Sequence, residues 1–126
     1  MSDEIRDPLT HLVIGAAMEV HRHLGPGLLE SVYQTCLKIE LEERGATFVS
    51  QARLPLFYKG RPTGQEFILD FHFPAQLVVE IKAVEALVPV FEAQLLTYLR
   101  LSQTHVGLLI NFNVPVLKAG IKRMVL

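Results

Sequence analysis

The 126 residues are half apolar and carry 12 Lys and Arg against 13 Asp and Glu, a formal net charge of −1. This length suits a single domain over residues 1–126 with one hydrophobic core, and the composition excludes an extended, disordered chain. The near-neutral balance gives no support for a broad basic surface that would grip nucleic acid non-specifically, so any electropositive patch has to be local. Cys36 is the only cysteine. It cannot form an internal disulfide and lies in an apolar helical stretch, which reads as a buried free thiol in a reducing, cytoplasmic setting. Met1 to Pro8 is charged without an apolar run, so no signal peptide is expected, and no stretch has the ~20 apolar residues that span a bilayer.

In chain order, Asp7 before Pro8 reads as an N-cap followed by proline at the first helical position. Leu9, Leu12, Val13, Ala16, Ala17, Val20 and Leu24 then recur at helical spacing. Gly25-Pro26-Gly27 ends that helix. A second is expected over Leu28 to Arg44, with Gly45 as its C-terminal stop. The period then changes. Phe48 to Tyr58 reads as extended chain interrupted at Pro55, and Lys59 to Gly64 as turn material. Glu66 to Phe73 alternates as a strand, with Phe67, Leu69, Phe71 and Phe73 on one face and Ile68, Asp70 and His72 on the other. Pro74-Ala75 turns the chain into a strand over Leu77 to Ala83, paired to the first as a hairpin. A helix runs from Pro89 to Leu101, Val106 to Asn111 reads as a buried central strand, and Ile121 to Leu126 as a final edge strand. The class is α/β, with a mixed sheet flanked by helices.

The strongest chemical signal is Asp70 on one strand and Glu80-Ile81-Lys82 on the next. Alternation places Glu80 and Lys82 on one face. With Asp70 opposite, two carboxylates and an ammonium converge inside a hydrophobic strand pair, where charge is costly unless paired or bound to metal. Such oxygen donors suit Mg²⁺ or Mn²⁺, which polarise a phosphoryl oxygen and lower the pKa of bound water. An ordinary cross-strand salt bridge explains the same residues. Glu30 falls on the helical face of Tyr33, Leu37 and Leu41. It suits either a further metal ligand or an acid complementing the helix dipole. Gln94 and Tyr98 form an i, i+4 pair on the later helix, with Gln94 placed in the apolar face of Phe91, Leu95 and Tyr98. An amide there holds either water or phosphate, or bonds to backbone. Glu19 and His23 at i, i+4 read as a solvated pair, and His72 as either a neighbour of the site or a strand end. Lys59 and Arg61 read as turn residues able to meet phosphate.

Gly27-Leu28-Leu29-Glu30-Ser31-Val32-Tyr33 carries the signature of the GxxExxY family, which the chain resembles from Leu9 to Leu126. The flanking Val13-Ile14-Gly15-Ala16-Ala17, Val79 to Glu85, Glu92 to Leu99 and Val106 to Phe112 resemble it in order. That family is assigned to the PD-(D/E)xK nuclease-like superfamily. The resemblance implies a restriction-endonuclease-like αβββαβ core. It matches Glu30 to the acid of the first core helix, Asp70 to the acid of the second core strand, and Glu80 and Lys82 to the ExK of the third. Gln94 and Tyr98 resemble the QxxxY element of RecB-like members. It further implies a divalent metal held by Glu30, Asp70 and Glu80, phosphodiester hydrolysis and a nucleic-acid partner. Two departures accompany it: Phe91 stands where histidine is expected, and Phe67-Ile68-Leu69 is more apolar than usual. The leading expectation is a Mg²⁺- or Mn²⁺-dependent nuclease acting on DNA or RNA. The alternative is a non-catalytic module that keeps the fold and works as a homodimer or with a protein partner.

Overall fold

The computed structural model describes residues 7–126. The charged start at residues 1–6, read above as carrying no targeting signal, lies outside the described residues. Helix α1 (Pro8–Leu24) begins where Asp7 accepts a hydrogen bond from the Thr10 amide at 3.3 Å, and it buries Val13, Ala16, Ala17 and Val20. Its apolar stripe is what drives the packing, because a helix is held in place mainly by the face it buries. The chain reverses through Gly25 (φ 67) and Gly27 (φ 96), where side chains with a Cβ are strained. Helix α2 (Glu30–Glu43) then packs back on α1, burying Tyr33, Leu37 and Leu41. It starts two residues later than expected, because Leu29 is extended and serves as its cap. No helix among the described residues is long and apolar enough to cross a membrane.

Three strands follow, β1 (Val49–Tyr58), β2 (Arg61–Phe73) and β3 (Leu77–Lys82). Helix α3 (Pro89–Leu101), strand β4 (Val106–Asn111), a 3₁₀ turn (Leu117–Gly120) and strand β5 (Ile121–Val125) complete the chain. The sheet order is β1-β2-β3-β4-β5, and only the β3–β4 pair is parallel. A parallel pair needs a crossover, and α3 supplies it. The result is a mixed α/β fold of the restriction-endonuclease-like kind, with α2 to β4 forming the αβββαβ core. The strand β1 runs on through Pro55, an edge position where proline's missing N–H is tolerated, but its pairing with β2 shifts register between Pro55 and Phe57. The expected turn over residues 59–64 shrinks to Lys59-Gly60. Both take positive φ (50 and 75), the geometry of a two-residue hairpin turn, so β2 starts at Arg61.

Two apolar clusters lie on the two sides of the sheet. The larger joins α1 and α2 to Phe71, Phe73, Val79 and Ile81 of the strands. The smaller joins Leu95, Tyr98 and Leu99 of α3 to Ala52, Leu69, Val78 and Leu109. The expected common face of Phe67, Leu69, Phe71 and Phe73 is therefore corrected: Phe67 and Leu69 pack on the α3 side, Phe71 and Phe73 on the other. The cause lies at Asp70. Gln51, its would-be partner on β1, takes φ 54, and the regular pairing skips that position. The alternation resets there, and β2 serves both cores.

The tightest backbone approach is at Gly120, where an added Cβ would stand 2.2 Å from the Asn111 carbonyl oxygen. Gly120→Ala should cost about 2–3 kcal/mol, the upper range for overpacking. Thermal unfolding of the purified variant checks this; an unchanged melting temperature would mean that the 3₁₀ turn can shift freely.

Candidate functional site

Pairing between β2 and β3 runs through Phe73–Leu77, His72–Val78 and Phe71–Val79 and then stops. Beyond it the strands fork: β2 continues with β1, and β3 continues with β4 as far as Lys82–Asn111. Asp70 and Glu80 stand at the fork. In place of ladder bonds, each carboxylate takes a backbone amide next to the other. Glu80 Oε2 accepts from the Asp70 N–H at 2.8 Å, and Asp70 Oδ2 accepts from the Ile81 N–H at 2.8 Å. Sequence alternation foresees the meeting of the two acids but not this exchange with the main chain.

Glu80 lies within a strand of otherwise apolar, buried neighbours and is 6% exposed. Burial, reinforced by the charge of Asp70, pushes its carboxyl up to about 8. Burial also raises Asp70, against the opposing pull of the Ile81 amide, the Lys82 charge and the Gln51 amide. Near neutral pH the pair therefore retains a proton. Glu80 Oε1 accepts no hydrogen bond from the protein among the described residues. Lys82 follows on the same strand. Its ammonium lies 4.7 Å from the centroid of the Phe91 ring, a cation–π contact, while its charge acts on Asp70, Glu80 and Glu30. Phe91, the departure from the expected histidine, thus acts as a rest for the lysine.

On the α2 side, Asp70 opens on a cleft of 310 Å³ lined by Glu30, Ser31, Gln34, Thr35, Gln51 and Asp70 itself. Glu30, first residue of α2, stands on its rim. Burial raises its carboxyl, as does the charge of Asp70. The backbone that presents it is held by Tyr33, whose hydroxyl donates to the Gly25 carbonyl at 2.6 Å and accepts from the Leu28 N–H at 3.2 Å. The Tyr33 ring stacks on Phe112 at 4.6 Å, and Asn113 accepts from the Gly27 N–H. The glycine, the acid and the tyrosine of the sequence signature are therefore one mechanical unit: the turn, the group it presents and the clamp.

On the other side, Tyr98 of α3 is 6% exposed, and burial and the charges of Glu80 and Asp70 raise its hydroxyl. Gln94, one turn earlier, is exposed. Its expected place within the apolar face is corrected: Phe91, Leu95 and Tyr98 turn inward, while the amide keeps its water at the edge. Glu19, Arg22 and His23 form a solvated cluster on α1, remote from the fork in the chain. His72 meets Thr104 at 3.4 Å, and burial lowers its pKa.

Three contributors escape a reading of the sequence. Gln34 donates to the Asp70 carbonyl and to Ser50 Oγ, each at 3.2 Å, and leaves its own Oε1 buried without a partner. Gln51 faces Asp70 from β1. Asn111, 2% exposed, binds both the N–H and the C=O of Val84, fixing the chain that leaves Lys82. A buried amide opposite a charged strand end is the signal that would have found Asn111.

The donor set is hard oxygen, and Mg²⁺ is commonly held by one or two carboxylates together with water. Asp70 and Glu80 fit that requirement, as does the unbonded Oε1. Among the described residues no three His, Cys, Asp or Glu side chains gather tightly enough to hold an ion together. Glu30 stays on the rim rather than closing a three-carboxylate cage with Asp70 and Glu80, as expected for three acids with a single nearby cation.

The raised carboxyls fix a sign for stability. Glu80 favours its neutral form in the fold, so its contribution is complete below pH 4.5 and is lost as pH rises through about 8. In chelator, the melting temperature should fall by several degrees between pH 5 and 8. Glu80→Gln, neutral throughout, should flatten that slope; an equal slope in the variant would assign it to other groups.

A family model described as the PD-(D/E)XK nuclease superfamily matches residues 7–124. No match was found among curated proteins or among solved structures.

Proposed function

Since the chain belongs to the PD-(D/E)XK nuclease superfamily, we propose that it is a divalent-metal-dependent phosphodiesterase acting on DNA or RNA, from the GxxExxY branch. The observation that carries this reading is Glu80. It is a buried acid with one oxygen bound to backbone and the other free, next to a second carboxylate and a lysine not engaged in an ion pair within 4.0 Å among the described residues. A group so placed needs a proton or a cation, and Mg²⁺ or Mn²⁺ answers that need.

Asp70 and Glu80 would hold the ion, and Glu30 would add its charge from the cleft rim. Bound there, the ion supplies Lewis-acid activation of the phosphoryl group and of water. Lys82, steered by Phe91 and tied down through Asn111, orients the attacking water and offsets charge gathering on the phosphoryl oxygens. Tyr98 lends a hydroxyl to the same side, and Gln94 meets substrate at the edge of α3. Gln34 and Gln51 hold Asp70 in place.

In excess Mg²⁺ or Mn²⁺ the melting temperature should rise, because a ligand that binds only the folded state stabilises it by about 2.7 kcal/mol at a hundred times its Kd. Asp70→Asn should abolish the rise, and an unchanged rise would place the ion elsewhere. Lys82→Ala should keep fold and metal response yet lower cleavage of a mixed DNA and RNA panel about 10²–10³-fold. A wild type inert on every substrate, with a Lys82→Ala variant melting well below it, would favour the non-catalytic module.

A further inference from the structure

The β1–β2 hairpin does more than edge the sheet. Past Leu69 it pairs only with itself, and every residue from Phe57 to Glu66 is exposed. Its base is the Gln51–Asp70 position at the fork. Its tip, seven residues further along β1, stands about 23 Å away at 3.3 Å per residue. Phe57 and Tyr58 are 58% and 65% exposed, among the most exposed aromatic surface in the described chain, and no core claims them.

The charge on this arm differs from that of the whole molecule. Residues 51–65 contain Arg53, Lys59 and Arg61 and no Asp or Glu, in a chain of net charge −1. Arg53 is spent on Glu66. Lys59 and Arg61 make no ion pair among the described residues. Arg61 lies opposite Tyr58 in the register, and the Lys59 ammonium sits 5.5 Å from the centroid of the Tyr58 ring. Lys59 also occupies a left-handed turn position that Asn or Gly fills at less cost. The tip is shaped rather than loose. Two extra residues on β2 bulge at Gly64, pinned where Thr63 Oγ1 donates to the Leu56 carbonyl at 2.7 Å and accepts from the Gln65 N–H at 3.1 Å.

An exposed aromatic ring flanked by two unpaired cations is the combination that stacks an unpaired base and holds its phosphate. We infer that the hairpin tip, through Tyr58, Lys59 and Arg61, is a docking arm for single-stranded nucleic acid, which it guides toward the fork. Duplex is disfavoured, since its bases offer no open face to Tyr58. This rests on the nuclease reading for its purpose, though binding can be measured without cleavage.

The test is fluorescence anisotropy of a labelled oligothymidylate and a matched duplex, in chelator, across a salt series. Tyr58→Ala should weaken single-strand binding about tenfold. Lys59→Ala with Arg61→Ala should lower the slope of log K against log salt by about 1.4, as expected for two lost phosphate contacts on a single strand. Both variants should melt with the wild type, and Arg22→Ala on α1 should bind as the wild type does. Unchanged affinity and slope would overturn the proposal. So would an equal or larger loss on duplex, or a wild type that binds no oligonucleotide. Binding through the arm in a protein that never cleaves would keep the arm and sink the catalytic reading. Cleavage with arm variants that bind normally would do the reverse.

Discussion

Where β2 and β3 part company, the amides of the half-buried Asp70 and the fully buried Ile81 lose their ladder partners. A buried, unpaired N–H costs on the order of 1–3 kcal/mol. The protein satisfies both amides with carboxylates taken from the opposite strand. That exchange fixes the fork, and the fork fixes everything around it. It leaves β3 paired with β4 alone beyond Val79, opens the cleft below α2, and frees the β1–β2 hairpin to run on alone. The exchange also keeps both acids out of full contact with water; burial raises both carboxyls, the charge of Asp70 adds to the rise at Glu80, and the pair is left short of positive charge.

The helices serve that pair from opposite sides. From α2, the Tyr33 hydroxyl ties the Gly25–Leu28 turn so that Glu30 starts the helix at the cleft rim. From α3, Phe91 and Tyr98 bring an aromatic face and a hydroxyl to the edge of β3. Neither helix could do this without the cores behind it. The larger cluster anchors α2 through Leu37 and Leu41, and the smaller anchors α3 through Leu95 and Leu99. Asp70, Glu80 and Tyr98 thus sit on elements packed against a core, while Tyr58, Lys59 and Arg61 sit on the exposed arm.

Much of this was legible in the amino-acid order. Helical periodicity located α1 and α3, with the Asp7 cap and Pro89 marking their starts. The apolar run after the Pro74-Ala75 turn located β3, and the acid–apolar–lysine run within it singled out the residues at the fork. The signature around Glu30 and Tyr33 pointed to the first helix of the core. Those features are local, because backbone geometry ties each to spacings of two, three or four residues.

Tertiary structure alone decided the rest. Phe67 and Leu69 face a different core from Phe71 and Phe73 because Gln51, distant in sequence, adopts a left-handed backbone opposite Asp70. Gln94 is exposed because the packing of α3 on β4 sets which side of the helix turns inward. Asn111, Gln34 and Gln51 acquire their roles only when strands and helices far apart in the chain bring them to Val84 and Asp70. A residue's spacing specifies the face of its own element, but not which other element will meet it. The pairing of Asp70 and Glu80 with each other's backbone belongs to that second kind of information, since it exists only once two strands are laid side by side and then forced apart.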